Sequence, residues 1–184
     1  MGKSAIFIDE GYVAKILKDS FFSPAIDYAK FSQLLAHDNQ ILRTYYYTAL
    51  PYKSKIPTPE EQKRFDNKQR FLDSLRRLNF FEVRLGKIQM AYDKFGRMFY
   101  RQKRVDALLT LDLVRLAMKQ LIEEAIIVSG DSDFIPAIEC AKEEGIQVQL
   151  VYEAEHLPSN DLLLTVDTRR ELTPEDIDYA RLEK

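Results

Sequence analysis

The sequence has very few of the residues that build disulfides and thiolate metal sites. Its 184 residues include one cysteine, Cys140, two histidines and no tryptophan. A single cysteine excludes an internal disulfide and a zinc site made from paired cysteines. Neither His37 nor His156 shares a local motif with Cys140, so we interpret this cysteine as a small buried residue rather than a nucleophile.

Long apolar runs and familiar phosphate-binding motifs are also missing. No segment resembles a membrane span or a secretory signal, which predicts a cytoplasmic protein that does not bind membranes. The sequence has no Gly-x-x-x-x-Gly-Lys loop, no dinucleotide-binding glycine fingerprint and no His-x-x-x-His pair. With 46% hydrophobic residues we expect one compact domain over residues 1–170. Residues 171–184 would be an acidic C-terminal helix, part of that domain or appended to it.

Charge is distributed unevenly along the chain, although the net charge is only -2. Residues 53–104 contain 15 Lys and Arg against 6 Asp and Glu, whereas residues 123–184 contain 5 against 16. A basic middle beside an acidic remainder suits a protein that attracts a polyanion to one surface and holds cations at another. A solvated helix followed by an acidic tail explains the same distribution, and charge alone favours that simpler interpretation.

The segment from Ile126 to Asp133 joins a buried strand to a turn rich in oxygen atoms. Its first three residues are apolar and β-branched, which is typical of a strand buried on both faces of a parallel sheet. The five residues at the predicted end of this strand are Ser129, Gly130, Asp131, Ser132 and Asp133. Because ligands of open α/β sheets bind beyond the carboxyl ends of the strands, we expect this turn to face the functional site.

Strand and helix patterns alternate along most of the chain. The apolar run from Ala5 to Ile8 predicts a strand that carries Asp9 at its carboxyl end. A helix predicted over residues 107–122 begins just after Asp106. This alternation predicts an α/β fold with a mainly parallel sheet.

The middle of the chain predicts a basic helix and a hairpin. Thr58-Pro59-Glu60-Glu61 is a strong helix start, and the helix should run to about Leu78 with Arg64 and Lys68 on its solvent side. Residues 81–92 and 98–101 flank a turn that ends in glycine, which predicts a small antiparallel hairpin insertion.

Carboxylates dominate the candidate site. Four of them lie at predicted strand ends or at a helix start: Asp9, Asp106, Asp131 and Asp133. If they converged they would repel one another and raise one another's pKa unless a cation lay among them. Ligands that are all oxygen select a hard ion such as Mg²⁺ or Mn²⁺. Such an ion can activate a water and neutralise charge on a phosphate, so the pattern predicts phosphodiester hydrolysis, with the basic helix holding the rest of the polyanion.

Several weaker candidates accompany these four. Asp106 has the alternative interpretation of an ordinary helix cap. Asp112 follows it by six residues, roughly 120° round the helix, so the two need not share a site. Ser129 and Ser132 would either orient the carboxylates or cap the next helix.

Three blocks of the sequence resemble the signature blocks of NYN domains, which are PIN-like, metal-dependent nucleases. They are Ala-Ile-Phe-Ile-Asp-Glu-Gly-Tyr at 5 to 12, Lys-Arg-Val-Asp-Ala-Leu-Leu-Thr-Leu-Asp-Leu at 103 to 113, and Ile-Ile-Val-Ser-Gly-Asp-Ser-Asp-Phe-Ile-Pro-Ala-Ile at 126 to 138. The resemblance covers about residues 5–166 and is nearest to the bacterial LabA-like branch. It implies a Rossmann-like three-layer sandwich, an RNA substrate, single-stranded RNA included, and one or two Mg²⁺ or Mn²⁺ ions on Asp9, Asp106, Asp131 and Asp133.

Two positions depart from the pattern of this family. Many members carry an asparagine shortly after the first aspartate, in Asp-Gly-x-Asn, where this chain has Gly11-Tyr12. Many have Lys-Gly-Val-Asp where this chain has Arg104 in place of the glycine, which adds positive charge and is expected to be harmless. Lys103 and Arg104 precede Asp106 and would touch the scissile strand, although a solvated hairpin end explains them equally well.

Alternatives of other classes stay open. Gly-Asp-Ser-Asp before a helix imitates a haloacid-dehalogenase-type phosphatase, but that family needs Asp-x-Asp where this chain has Asp9 and then Gly11. A catalytically weak RNA-binding or protein-interaction scaffold would keep the same fold. Tyr45, Tyr46 and Tyr47 would stack on bases or lie in the core, and we favour the core. The sequence also leaves homodimer formation open.

Overall fold

A parallel sheet forms the centre of the computed structural model, which describes residues 2–183 except for the side chains of residues 101 and 102. The described strands are β1 (Lys3–Asp9), β2 (Gln40–Thr48), β3 (Phe81–Leu85), β4 (Lys87–Tyr92), β5 (Met98–Lys103), β6 (Glu124–Val128), β7 (Gln147–Tyr152) and β8 (Thr168–Glu171). Six of them form one sheet in the order β3-β2-β1-β6-β7-β8, and every neighbouring pair is parallel. β4 and β5 pair only with each other, antiparallel.

Helices cover both faces of this sheet. They are α1 (Glu10–Asp19), α2 (Tyr28–Ala36), α3 (Pro59–Arg76), α4 (Val105–Met118), α5 (Ile135–Glu143), α6 (Asn160–Thr165) and α7 (Pro174–Tyr179). Phe7 of β1 packs in one apolar cluster with Leu109 of α4, whereas its neighbour Ile8 packs in a second cluster with Phe31 and Ile177. Adjacent residues of a strand point to opposite faces, so the molecule has three layers. The predicted α/β fold is thereby confirmed.

Local sequence signals explain where the helices begin. Thr58 accepts from the backbone N–H of Glu61 while the Glu61 side chain accepts from the N–H of Thr58, so α3 starts at a capping box as predicted. The Asp27 carboxylate caps α2 by accepting from the backbone N–H groups of Ala29 and Lys30. No helix within residues 2–183 combines the length and apolarity that crossing a bilayer requires.

Two strand assignments from the sequence were wrong or missing. Residues 81–92 do not form one hairpin strand, because the chain divides at Gly86 into β3 of the parallel sheet and β4 of the hairpin. A Cβ on Gly86 would lie 2.6 Å from the carbonyl oxygen of Lys103, so only glycine lets the two hairpin ends approach so closely. The short polar sequence Thr168–Glu171 gives no apolar strand pattern, and it forms the edge strand β8.

Candidate functional site

The candidate site lies where the strand order of the sheet reverses. β1 lies between β2 and β6, and the carboxyl ends of β1 and β6 carry Asp9 and the turn that begins at Ser129. The chain leaves β1 toward one edge of the sheet and leaves β6 toward the other. Such a switch point leaves a crevice that open α/β sheets use for ligands. The structure therefore brings Asp9 of the first sequence block and the turn of the third block together at the carboxyl ends of β1 and β6, as the sequence predicted.

Ser129 connects the Asp9 carboxylate to the backbone of Asp131. Its hydroxyl is fully buried, donates to Asp9 Oδ2 at 3.0 Å and accepts from the backbone N–H of Asp131 at 3.2 Å. The other oxygen of Asp9 accepts from the N–H of Gly11 at 3.0 Å, and Asp131 Oδ1 accepts from the N–H of Asp133 at 2.9 Å. Ser129 thus contacts the Asp9 carboxylate and the backbone of Asp131, while the Asp131 carboxylate is held by the backbone of Asp133.

The surroundings of Asp9 disfavour its charged form. Burial raises the pKa of Asp9 above its ordinary value, and repulsion by Asp106 raises it further. Hydrogen bonds from Ser129, Gly11 and Tyr12 lower the pKa, but they do not cancel the effect of burial. No ion pair to Asp9 forms among the described residues. A cation bound beside Asp9 would remove this penalty.

The other two predicted carboxylates lie on neighbouring helical turns. Asp106 is in the exposed first turn of α4, while the N-cap position itself is held by Arg104. Asp133 is exposed in a single turn of 3₁₀ helix, Ser132–Phe134, that precedes α5. Within residues 2–183, no three His, Cys, Asp or Glu side chains are close enough together to form a metal-binding group. The structure thus links Asp9 to Asp131 through Ser129 and to Asp106 through charge repulsion.

Asp112 lies in a different environment. It is buried, and its carboxylate accepts from Arg84 Nε at 2.8 Å, from Arg115 Nη2 at 2.8 Å and from the Tyr47 hydroxyl at 3.2 Å. Burial and the adjacent Asp112 hold the pKa of Tyr47 well above its usual range, so this hydroxyl stays a donor. Asp112 lines a depression with Leu108, separate from the cleft that Asp9 and Asp131 line. Its partners make it a structural charge.

Glu10 lies directly beside Asp9 and was not predicted from the sequence as part of the site. Its Oε1 lies 3.0 Å from Lys68 Nζ of α3, and its Oε2 accepts from the Thr48 hydroxyl at 3.0 Å. The ion pair brings Lys68, one of the predicted RNA-binding cations, next to the residue after Asp9. The prediction that Lys68 lies on the solvent side of its helix was wrong, because only 19% of its side chain is exposed. The sequence shows Glu10 only as a second acid after Asp9, and its partner Lys68 lies 58 residues further along the chain, so the ion pair could not be predicted.

Tyr12 forms one wall of the cleft. Its hydroxyl donates to the carbonyl of His156 at 3.1 Å and accepts from the N–H of Glu153 at 3.0 Å. Burial raises the pKa of Tyr12 to about 12. A Cβ on Gly130 would lie 2.8 Å from the Tyr12 ring, so glycine is needed after Ser129 for the ring to fit. The cleft has a volume of about 460 Å³ and is also lined by Asp9, Asp131 and Ser132.

The remaining predicted cations lie on the exposed surface beside α4 and on α3. Lys103 and Arg104 are exposed at the junction between β5 and α4, directly before Asp106. Arg104 has φ +74°, a left-handed conformation that L side chains disfavour. Arg64 is exposed, and its guanidinium donates to the carbonyl of Tyr52 at 3.5 Å, a long hydrogen bond.

Comparisons with known proteins support these observations. The model of the NYN domain matches residues 3–171. The uncharacterized protein y4oD of Sinorhizobium fredii (strain NBRC 101917 / NGR234) is 34% identical over 73 residues, which are 39% of this chain and 34% of that protein. The match thus spans about a third of that relative. A crystal structure of a protein of unknown function, VPA0982 from Vibrio parahaemolyticus RIMD 2210633, covers 98% of this chain and 96% of its own, with a TM-score of 0.62 and 21% identity. That similarity supports the fold alone.

Proposed function

Since the chain belongs to the NYN domain family, which has a PIN-like nuclease fold, we propose that it is a metal-dependent ribonuclease of the LabA-like branch. The observation that carries the proposal is the environment of Asp9. Its carboxylate is largely buried, repelled by Asp106 and fixed by Ser129 at the switch point of the sheet. A protein gains nothing in stability from such a charge, whereas a cation site requires it.

The chemistry of the donors fits Mg²⁺ or Mn²⁺. Asp9, Asp106, Asp131 and Asp133 offer only carboxylate oxygens, which are the ligands that these hard ions prefer. When bound there, the ion would supply a more acidic water and compensate charge on a phosphodiester. Through its two hydrogen bonds, Ser129 would orient the Asp9 carboxylate and hold the backbone of the turn that carries Asp131.

Cations around the carboxylates would position the RNA backbone. Lys103 and Arg104 are exposed directly before Asp106, and Lys68 reaches the same edge through Glu10. Lys103 and Arg104 can each neutralise a phosphate next to the scissile one, which lowers the cost of bringing a polyanion to an acidic site, whereas Lys68 is already paired with Glu10. Phosphate contacts carry no sequence information, so this part of the interface would accept RNA of any sequence.

Cleavage of labelled single-stranded RNA tests the proposal. Wild type is compared with Asp9→Asn and Asp131→Asn in Mn²⁺, in Mg²⁺ and in EDTA. We expect metal-dependent cleavage that falls by roughly 100-fold or more in both variants, because even outer-shell partners of a metal contribute about 10–100-fold. Asp38→Asn is the matched control, since Asp38 is exposed in the turn before β2, at the opposite edge of the sheet. Wild type that cleaves no RNA in either metal would contradict the proposal.

A second candidate is an RNA-binding scaffold without turnover. The observation that favours it is the lack, within the described residues, of three acidic or histidine side chains close enough to hold a metal. The two candidates differ in what Mn²⁺ does to stability. Specific binding to the folded state at 100 times the dissociation constant stabilises by about 2.7 kcal/mol. A ribonuclease with this site should therefore melt at a higher temperature in Mn²⁺ and should lose that shift in Asp9→Asn, whereas a scaffold should show no shift in either.

A further inference from the structure

The hairpin of β4 and β5 exposes an apolar face outside the three layers. In its register Met90 pairs with Tyr100 and Tyr92 with Met98, so these four side chains lie on one face. Tyr92 is 63% exposed and Met98 is 53% exposed. At the turn, Phe95 is 71% exposed. A two-stranded hairpin gains little stability alone, and a grouped exposed apolar surface is typical of interaction sites.

The charge of the hairpin favours a polyanion as the occupant. Residues 86–104 contain six Lys and Arg and a single acid, Asp93. That acid is already compensated, because its Oδ2 lies 2.7 Å from Arg97 Nε. The ammonium of Lys94 lies 5.1 Å from the centre of the Phe95 ring, and the guanidinium carbon of Arg97 lies 5.3 Å from it. Aromatic faces beside cations match the bases and phosphates of an unpaired nucleic acid strand, whereas an apolar protein partner would leave the cations uncompensated.

Contacts connect the hairpin to the carboxylates. The Tyr100 ring stacks on Tyr52, with centres 4.9 Å apart and planes 25° apart. The carbonyl of Tyr52 accepts from Arg64 of α3, and Lys68 follows Arg64 by one helical turn. Lys68 pairs with Glu10, which follows Asp9. Aromatic and cationic groups therefore form a continuous path from the hairpin to the site.

We propose that the β4–β5 hairpin is an arm that binds single-stranded RNA by stacking its bases on Tyr92, Tyr100 and Phe95, outside the carboxylate site. The proposal rests on the proposed function for the identity of the nucleic acid. Unpaired strands are the target because the faces of paired bases are covered by their neighbours in a duplex. The arm would hold the strand while exposed cations of α3 such as Arg64 lead its backbone toward Asp9.

Binding in EDTA tests the arm without cleavage. The fluorescence anisotropy of a labelled 12-nucleotide RNA is measured with wild type, Tyr92→Ala, Tyr92→Phe and Leu164→Ala. Leu164 is the matched control because it is also strongly exposed, at 74%, but lies on α6. We expect Tyr92→Ala to weaken binding by roughly 5- to 100-fold, the range for losing one stacked base, and Tyr92→Phe to bind as wild type does. The same RNA in a duplex should bind more weakly than the single strand.

Three results would contradict the proposal that the hairpin is an RNA-binding arm. If Tyr92→Ala and Leu164→Ala both bind RNA as tightly as wild type does, the apolar face of the hairpin does not bind RNA. The same conclusion follows if wild type does not bind RNA at all. Sedimentation that shows a wild-type dimer and a Tyr92→Ala monomer would assign the face to a second copy of the chain. Wild type that binds RNA through Tyr92 but never cleaves it would support the arm and contradict the nuclease, so the two proposals fail separately.

Discussion

Two carboxylates of this protein, Asp9 and Asp112, occupy opposite kinds of surroundings. Asp112 on α4 is held by Arg84, Arg115 and the Tyr47 hydroxyl, all within 3.2 Å. Asp9 receives hydrogen bonds from a hydroxyl and from the backbone, is repelled by Asp106 and has a raised pKa. Both carboxylates are well shielded from water, so the difference lies in their partners. An acid whose charge is already neutralised serves the fold, and an acid left without a cation is available to a ligand.

The largest expected effect on stability comes from Asp112 and not from the candidate metal ligand Asp9. Asp112→Asn should lower the free energy of unfolding by roughly 2 kcal/mol, because Arg84 and Arg115 would lose their counterion. The figure for fully buried pairs, about 3–5 kcal/mol, is reduced because the Arg84 side chain is 29% exposed and that of Arg115 is 51% exposed. Asp9→Asn should not lower stability in EDTA. Urea unfolding monitored by circular dichroism measures both.

The pH dependence of unfolding tests the environment of Asp9. The pKa of Asp9 is raised in the folded state, so the folded protein retains a proton that the unfolded chain loses near its ordinary value of 3.8. Asp9 therefore contributes stability that is present below that value and is lost as pH rises through its folded pKa. Asp9→Asn should flatten this part of the profile. An Asp9→Asn profile that matches wild type throughout would contradict our account of Asp9.

A smaller effect should distinguish the two serines of the turn. Ser129→Ala should lower the free energy of unfolding by about 1–2 kcal/mol, because Asp9 loses a donor in a buried position. RNA cleavage should fall by about 10–100-fold as Asp9 and Asp131 lose their common support. Ser132→Ala should change stability by less than about 0.5 kcal/mol, since Ser132 is exposed. Equal losses in the two variants would mean that burial of the hydroxyl does not matter.

The smallest effect concerns the backbone at Arg104. Because its φ of +74° is disfavoured for side chains with a Cβ, Arg104→Gly should raise the free energy of unfolding by about 0.5 kcal/mol. Arg104→Ala removes the same charge but keeps the disfavoured conformation, so it should show no gain. Thermal melts of the two variants side by side measure the difference. If the two variants melt at the same temperature, the left-handed conformation at residue 104 does not lower the stability of the protein.

General rules for α/β sheets predicted the positions of Asp9 and Asp131 from the sequence. Both follow apolar runs, and parallel strands bring their carboxyl ends to one edge. The role of Asp112 was not predictable, because its partner Arg84 lies 28 residues earlier in a strand that was assigned to the hairpin. The expectation that Arg104 is harmless considered its charge and not its backbone conformation. That conformation is one that glycine adopts without strain.

Contacts between distant segments explain the other omissions. The Tyr12 hydroxyl bonds to the backbone 144 residues further on, and no local pattern predicts such a bond. The Tyr12 hydroxyl donates to the carbonyl of His156 and accepts from the N–H of Glu153, and both bonds occupy it at the position where many family members have asparagine. Tyr12 is therefore better described as a wall of the cleft than as a group that orients substrate.

The single hydroxyl of Ser129 joins the carboxylate at the end of β1 to the backbone of the turn after β6. It donates to Asp9 Oδ2 and accepts from the backbone N–H of Asp131, a group that substitution of the Asp131 side chain leaves in place. The effects of substitutions at Asp9 and Ser129 should therefore fail to add in a double-mutant cycle, whereas no such bond joins the side chains of Asp9 and Asp131. Ser129 and Asp9 would behave as one cooperative unit shared by β6 and β1.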